Sequence, residues 1–388
     1  MDFELSEELK MIRDLSRDFV AEQLKPLERD ILGRAADMSD ARMYLPEETE
    51  ATLVSMVKEM GLWGVGVPEA LGGAGLDTLG VCLVEEELAQ TVVPFNFGDI
   101  TPILFDCTEE QRERFLRPAL DGRKRPYLAL METGSGADLS GMEMRAEKTG
   151  GGYRLNGKKL SLSRPGKDFF AVAFALTGGD SGGVTCFLVD GDTPGFTVAG
   201  GEEKTGWSAQ VRDPMTLVFA GCEVSAENVL GEEGGAFHLG RQWLPQRRVV
   251  RGARCVGAAR RLLDDATVQA QSLETFGHPI QERANIHAAL ADIAMLVHAG
   301  RLMVHEAAWK ADNGRPVRRE AAMVKLYTTQ TLHTVADRVA HVFNSPAYVS
   351  GLPMERLCRR ALATSATELA LELQRSIIAR DVLKGLTV

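Results

Sequence analysis

The sequence predicts an α+β multidomain fold: an N-terminal helical domain over residues 1–125, a central antiparallel β-barrel or sandwich over 126–232, and a C-terminal four-helix bundle over 233–388. Three observations carry this. Apolar residues recur at three- and four-residue steps in the first region, short Gly-punctuated runs of β-formers fill the second, and the helical period returns in long segments in the third.

In the first region, Leu9, Ile12, Leu15, Phe19 and Val20 fall on one stripe, which predicts an amphipathic helix over 6–34. A second helix is expected over 47–60. Gly and Pro crowd GVGVPEALGGAGLD, residues 64–77, so an irregular loop is expected there, then helices over 79–90 and over 109–120, the latter ending at Gly122. The central runs YLALM, GYRLNGKKLSLS, FFAVAFAL, VTCFLVD, FTV and MTLVFAGCEV are of strand length and are separated by turn formers at 149–152 and 177–183. Four long helices follow, at about 234–272, 281–312, 317–343 and 353–383, with the short connectors of a bundle.

Composition narrows the function classes. The net charge is -10 and no run of five Lys/Arg occurs, which speaks against nucleic acid or an anionic membrane as partner. No uninterrupted apolar stretch has membrane-spanning length, and the acidic start MDFELSEELK reads as no export signal. Cys82, Cys107, Cys186, Cys222, Cys255 and Cys358 form no CxxC pattern, which fits a reducing compartment, so the cytoplasm is the expected location. The histidines show no ligand spacing, so no metal is expected, and His287, His298 and His305 are expected on bundle helices. The glycines at 72, 73, 75, 134 and 136 do not occupy a strand-to-helix turn, which argues against a nicotinamide-binding fold.

The helix carrying LPQRR is unusually basic. Arg247, Arg251 and Arg254 share one face and read either as an anion site, for a phosphate, a carboxylate or a partner subunit, or as a solvated or salt-bridged surface. Arg248 lies on the other side with Gly252 and Cys255, whose small side chains suit close packing; Cys255 reads as a reactive or, more ordinarily, an inert buried thiol.

The order and spacing of VPEALGGAGLD, METGSGADLSG, GYRLNGKKLSLS, ENVLGEEGGAF, LPQRRVVRGARCVGAA, TFGHPI and LPMERLCRRA…ELQRSIIARDVL resemble the acyl-CoA dehydrogenase superfamily over essentially the whole chain. The resemblance implies an FAD-dependent oxidoreductase of lipid metabolism that desaturates an acyl-CoA thioester. A glutamate removes the α-proton and a hydride passes to flavin N5. Such a base needs a dry pocket that raises its pKa, and the thioester oxygen needs hydrogen-bond donors. By this resemblance Glu368 is the catalytic base, in Glu368-Leu369-Ala370 where relatives carry Glu-Gly-Thr. Arg247 stands where other branches place the base, and an arginine cannot accept a proton at neutral pH.

The same resemblance gives Leu130, Met131, Gly136, Ser161, Ser163, Thr275 and Phe276 to the cofactor, and Ala137 and Arg248 to the substrate. The chain departs from the family pattern at several of these. Met131 replaces a hydrogen-bonding threonine, Ala137 a serine, and Ser161-Leu162-Ser163 a Trp-Ile-Thr that packs on the flavin, whereas Glu132, Gly136 and Asp138 keep the pattern. At the adenine-diphosphate end, Leu273, Ala284 and Asn344-Ser345-Pro346-Ala347 replace an arginine, a glutamine and a Gly-Gly-x-Gly loop. Three activities therefore stay open: an FAD-dependent acyl-CoA dehydrogenase, an FAD-poor or non-catalytic subunit paired with a second such chain, or a non-redox acyl-CoA enzyme. Expected partners are acyl-CoA, an electron acceptor for the redox activity, and further copies of the chain in a homotetramer or homodimer, with a heteromer as the alternative.

Overall fold

The computed structural model describes residues 4–35, 45–134, 141–161, 168–178, 183–199, 215–239, 243–349, 351–365 and 370–385. The chain opens with α1 (Glu7–Phe19), where the Ser6 side chain accepts from the Leu9 amide at 3.2 Å and Glu7 and Glu8 occupy the first turn. The helix expected over 6–34 does not run straight through. It widens into a π turn at Val20–Leu24, tightens into a 3-10 turn around Pro26, and resumes as α2 (Glu28–Ala35). Proline removes a backbone donor, and the change of winding absorbs the loss.

Next come α3 (Glu47–Glu59), the glycine-rich loop, and α4 (Thr78–Leu88), whose Asp77 cap accepts from Gly80 N at 2.7 Å. The segment over 109–120 forms as α5 (Glu109–Gln111), a π turn and α6 (Arg117–Leu120), opened by a Thr108–Gln111 capping box.

Eight strands follow: β1 (Arg125–Ala129), β2 (Arg145–Thr149), β3 (Gly152–Ser161), β4 (Phe169–Leu176), β5 (Val184–Asp190), β6 (Phe196–Ala199), β7 (Met215–Ser225) and β8 (Val229–Leu230). Their order is β6-β7-β3-β2-β4-β5-β8, with β1 pairing β4. The expected β domain is present, and it differs from a purely antiparallel barrel in two ways. Among the described residues the sheet does not close, and it is mixed, because β1 runs parallel to β4 and β2 meets β4 in parallel at Arg145 and Leu176. Both pairings join strands far apart in sequence, where no tight hairpin enforces an antiparallel return.

Strand β4 is buried on both faces. Phe170, Val172 and Phe174 pack with Phe115, Leu116 and Leu120 of the N-terminal helices, whereas Ala171, Ala173 and Ala175 pack with Phe187, Phe196 and Phe219 of the sheet itself. Alternation along FFAVAFAL thus places the large rings toward the helices and the small methyls inside the sheet's own fold.

The last region holds α7 (Leu244–Ser272), a two-stranded hairpin of β9 (Glu274–Thr275) and β10 (His278–Pro279), α8 (Ala284–Asp312), α9 (Arg318–Phe343), α10 (Pro353–Ala363) and α11 (Leu371–Leu383). The four-helix expectation needs two corrections. Helix α7 starts at 244 and not 234, with Pro245 in its first turn after a 3-10 turn at Ala236–His238. The segment 353–383 is two helices, because the Thr364 and Ser365 hydroxyls take up the Ala361 and Leu362 carbonyls, at 2.6 and 2.8 Å, and end α10.

Two glycines allow α7 its position at the centre. A Cβ on Gly252 would meet Val324 of α9 at 2.3 Å, and one on Gly257 would meet the Glu86 carbonyl oxygen of α4 at 2.0 Å. Helix α8 carries His287, His298 and His305, and is long and apolar enough to cross a membrane. Its Ile293, Val297 and Val304 face the core of the helical region.

Candidate active site

Helix α4 contains three consecutive glutamates, Glu85, Glu86 and Glu87, all buried. Buried carboxylates require partners, and each has an arginine. Glu85 takes two bonds from Arg254 of α7, Glu86 two from Arg301 of α8, and Glu87 is paired with Arg17 of α1 at 2.9 Å and Arg260 of α7 at 3.2 Å. One turn of α4 thereby ties three helices together.

Between α4, the loop around Asp99 and α7 lies a cavity of about 100 Å³. Val67, Val81 and Ile100 form part of its apolar wall, and Arg247, Arg251 and Arg254 its basic wall, so the three arginines do share one face. Asp99 accepts from Arg247 at 3.0 Å and lies 3.4 Å from Arg254. Its partial burial works against the charge, yet Arg247, Arg254 and Arg251 hold its carboxyl far below the usual carboxylate range. Trp243 Nε1 and Gln246 Oε1, both in residues lining the cavity, are buried and have no hydrogen-bond partner among the described residues. Reading the sequence missed Glu85, Asp99, Trp243 and Gln246. The signal for the first was present: three adjacent glutamates inside a helix that is otherwise apolar at both ends.

Arg248 is 5% exposed, beside the buried Val249, and is not among the residues lining the cavity. Cys255 is buried, and burial pushes its thiol up, which assigns it the inert role.

Leu130 and Met131 lie against the end of β3. The Met131 carbonyl accepts from Leu160 N at 2.8 Å, and the Leu130 carbonyl from Lys159 Nζ at 3.1 Å. Lys159 also pairs with Glu132 at 2.7 Å, and Glu132 accepts the amides of Glu143 at 2.7 Å and Met144 at 3.0 Å. Glu132 thus clasps the 130–132 segment to β2 and β3, next to the Ser161 backbone. Gly136, Ala137, Ser163 and Glu368 lie outside the described residues.

Thr275 and Phe276 sit in the hairpin between α7 and α8. The Phe276 ring is 95% exposed, and the Arg283 guanidinium lies 5.9 Å from its centre while bonding the Thr275 hydroxyl and carbonyl. Leu273 packs against the helical core instead. Two non-glycine residues among those described have left-handed φ, Phe276 at 56° and Asn344 at 59°. Such backbone costs about 1–2 kcal/mol per residue and concentrates at binding sites. Both fall in the segments that the resemblance gives to the adenine diphosphate. A guanidinium, a hydroxyl and an uncovered ring at one corner fit that group.

Comparison with known proteins agrees with this architecture. Residues 6–123 match the acyl-CoA dehydrogenase N-terminal domain, 128–219 the middle domain and 237–383 the C-terminal domain. The chain is 32% identical to (R)-benzylsuccinyl-CoA dehydrogenase of Thauera aromatica, covering 99% of this chain and 97% of that one. It is 31% identical to the mitochondrial short-chain specific acyl-CoA dehydrogenase of Rattus norvegicus, covering 98% and 92%. The structure of butyryl-CoA dehydrogenase from Megasphaera elsdenii superposes with a TM-score of 0.85 at 30% identity, covering 99% of this chain and 100% of that one. The chain belongs to the acyl-CoA dehydrogenase family. It is an oxidoreductase of the FAD-dependent acyl-CoA dehydrogenase type.

Proposed function

We propose that the chain desaturates an acyl-CoA thioester between Cα and Cβ, with Glu368 taking the α-proton. The observation that carries this reading is the cavity between α4 and α7, apolar on one wall and furnished with hydrogen-bonding groups on the other. Arg248 and Ala137 serve the substrate. The Leu130 and Met131 main chain, Gly136, Ser161 and Ser163 hold the flavin ring, and Thr275, Phe276 and Arg283 hold the adenine diphosphate. When bound, FAD supplies the hydride acceptor.

The chain's own part is to orient the thioester, exclude water and hold the proton on the Glu368 carboxyl. Exclusion of water raises the carboxylate's basicity, which a surface glutamate lacks. Met295, Leu302 and Trp309 are exposed on α8 at seven-residue intervals, one stripe of the helix. Covering that stripe with a second copy supports a homotetramer or homodimer. A second acyl-CoA dehydrogenase-like chain on the same stripe would make a heteromer.

The test is the visible spectrum of the native protein. Flavin absorbance that bleaches on adding acyl-CoA is expected, and Glu368→Gln should keep the colour and lose the bleaching. Colourless protein that takes up no FAD would overturn the reading, and co-purification of a second chain would favour the heteromer.

A further inference from the structure

Asp99 and Arg247 both line the cavity, the first from the loop that follows α4 and the second from α7. Their bond at 3.0 Å therefore runs from one wall to the other. It is the outer link of a chain of alternating charge, Glu85–Arg254–Asp99–Arg247, in which Arg254 bonds Glu85 and lies 3.4 Å from Asp99. Side-chain exposure rises along that chain, from 6% at Glu85 through 21% at Arg254 to 30% at Asp99 and 27% at Arg247. The Asp99–Arg247 link thus lies on the solvent side of the cavity.

Its two ends differ in freedom. The backbone under Asp99 is anchored: Asn96 Oδ1 accepts from the amides of Gly98 at 3.0 Å and Asp99 at 2.9 Å, and the Phe97 carbonyl accepts from Gly64 N at 2.7 Å. A Cβ on Gly98 would meet Gly64 N at 2.8 Å, so the loop is seated tightly on its neighbour. Arg247 reaches across on a long side chain rich in rotamers. As described, the cavity of about 100 Å³ is smaller than the roughly 300–1,000 Å³ of ligand pockets, so a ligand must widen it. A partly exposed ion pair is the bond of this wall that parts most cheaply.

We propose that the Asp99–Arg247 pair is a strap across the mouth of this cavity, with Asp99 as its fixed post and Arg247 as the arm that swings aside to admit an acyl chain and closes again over it. Asp99 is on this account a positioning residue that acts through Arg247. The proposal rests on the reading that the acyl group of the substrate enters between α4 and α7. Closure over the chain shields the reacting end from water.

Surface plasmon resonance on the tethered holoenzyme with S-butyl-CoA tests it, because this thioether lacks the carbonyl that acidifies the α-protons and binds without reacting. Asp99→Ala and Arg247→Met are each expected to raise the association and dissociation rates by the same factor, about two- to fivefold, the worth of a partly exposed ion pair, and so to leave Kd unchanged. The double variant should be no faster than either single one, because each already removes the strap. The two substitutions change the net charge in opposite senses, so a rise common to both is not electrostatic steering. Should one variant fail to fold, the other carries the test. Unchanged rates overturn the proposal. So does a change in the dissociation rate alone, which marks a lost ligand contact and not a gate. Absence of any binding by the wild type refutes the acyl-CoA reading and the strap with it, while flavin bleaching by butyryl-CoA in the same preparation tests the dehydrogenase reading separately.

Discussion

Replacing Lys159 with methionine tests the clasp that holds the cofactor-side segment. Lys159 is 1% exposed and Glu132 8% exposed, so the pair is shielded from solvent. Removing the ammonium leaves a buried carboxylate with two backbone amides and no counter-charge. Breaking a buried pair in this way costs about 3–5 kcal/mol, and the surviving amide bonds place the expected loss near 3. At about 1.4 kcal/mol per factor of ten, amide hydrogen exchange at Glu143, Met144 and Leu160 should accelerate on the order of a hundredfold. Those amides bond Glu132 and Met131 directly, so they report the clasp and not the distant helices. Lys159→Met combined with Glu132→Gln should recover much of the protection, because no charge is then stranded. Unchanged exchange in the single variant would refute the reasoning.

Acid should loosen the same region. Burial works to raise the Glu132 carboxyl, but Lys159 and the two amides outweigh it and hold the group below its usual value. The unfolded chain therefore binds that proton more tightly, so the stability is full above the ordinary carboxylate range and is lost as pH falls through the folded value; urea midpoints across acid pH should show this slope, and Lys159→Met should flatten it. Gly257→Ala forces a methyl against the Glu86 carbonyl and should cost about 1–3 kcal/mol or more, seen as a lower melting temperature. Phe276→Ala removes an exposed ring that meets the Arg283 guanidinium 5.9 Å from its centre. The isolated fold should change by less than about 0.5 kcal/mol, while the FAD retained per chain after gel filtration should fall.

Much of the fold was legible because period and punctuation are local. FFAVAFAL announced a buried strand, and the stripe from Leu9 to Val20 announced a helix. Strand direction was less so: nothing within RPYLA states that its partner is FFAVAFAL or that the two run in parallel, since that depends on where the preceding helices deliver the chain. The break at 364–365 is a contest between hydroxyls and helix carbonyls that a stretch of apolar spacing conceals. At the site, the shared face of Arg247, Arg251 and Arg254 followed from helical geometry alone. Asp99 did not, because its partners are about 150 residues away in sequence. Arg283 was passed over for a similar reason. The resemblance directed attention to the lost Leu273 and Ala284 positions, while the charge lies on their neighbour.

The three glutamates of α4 separate stability from specificity. Successive residues of a helix point about 100° apart, so Glu85, Glu86 and Glu87 cannot serve one partner and are driven to three directions. All three are buried and paired, so each single neutralisation takes a counter-charge from an arginine, although Arg254 keeps Asp99 at 3.4 Å; for Glu85 and Glu86, where one guanidinium makes both bonds, a loss of about 1–3 kcal/mol is expected. Only Glu85 lines the cavity. Glu85→Gln and Glu86→Gln should therefore lower the melting temperature by similar amounts in calorimetry, yet only Glu85→Gln, by loosening Arg254 at the cavity wall, should change acyl-CoA affinity in isothermal titration. Equal shifts of that affinity in both variants would mean that the cavity responds to general loosening of α4 against α7, and the electrostatic account of its wall would fail.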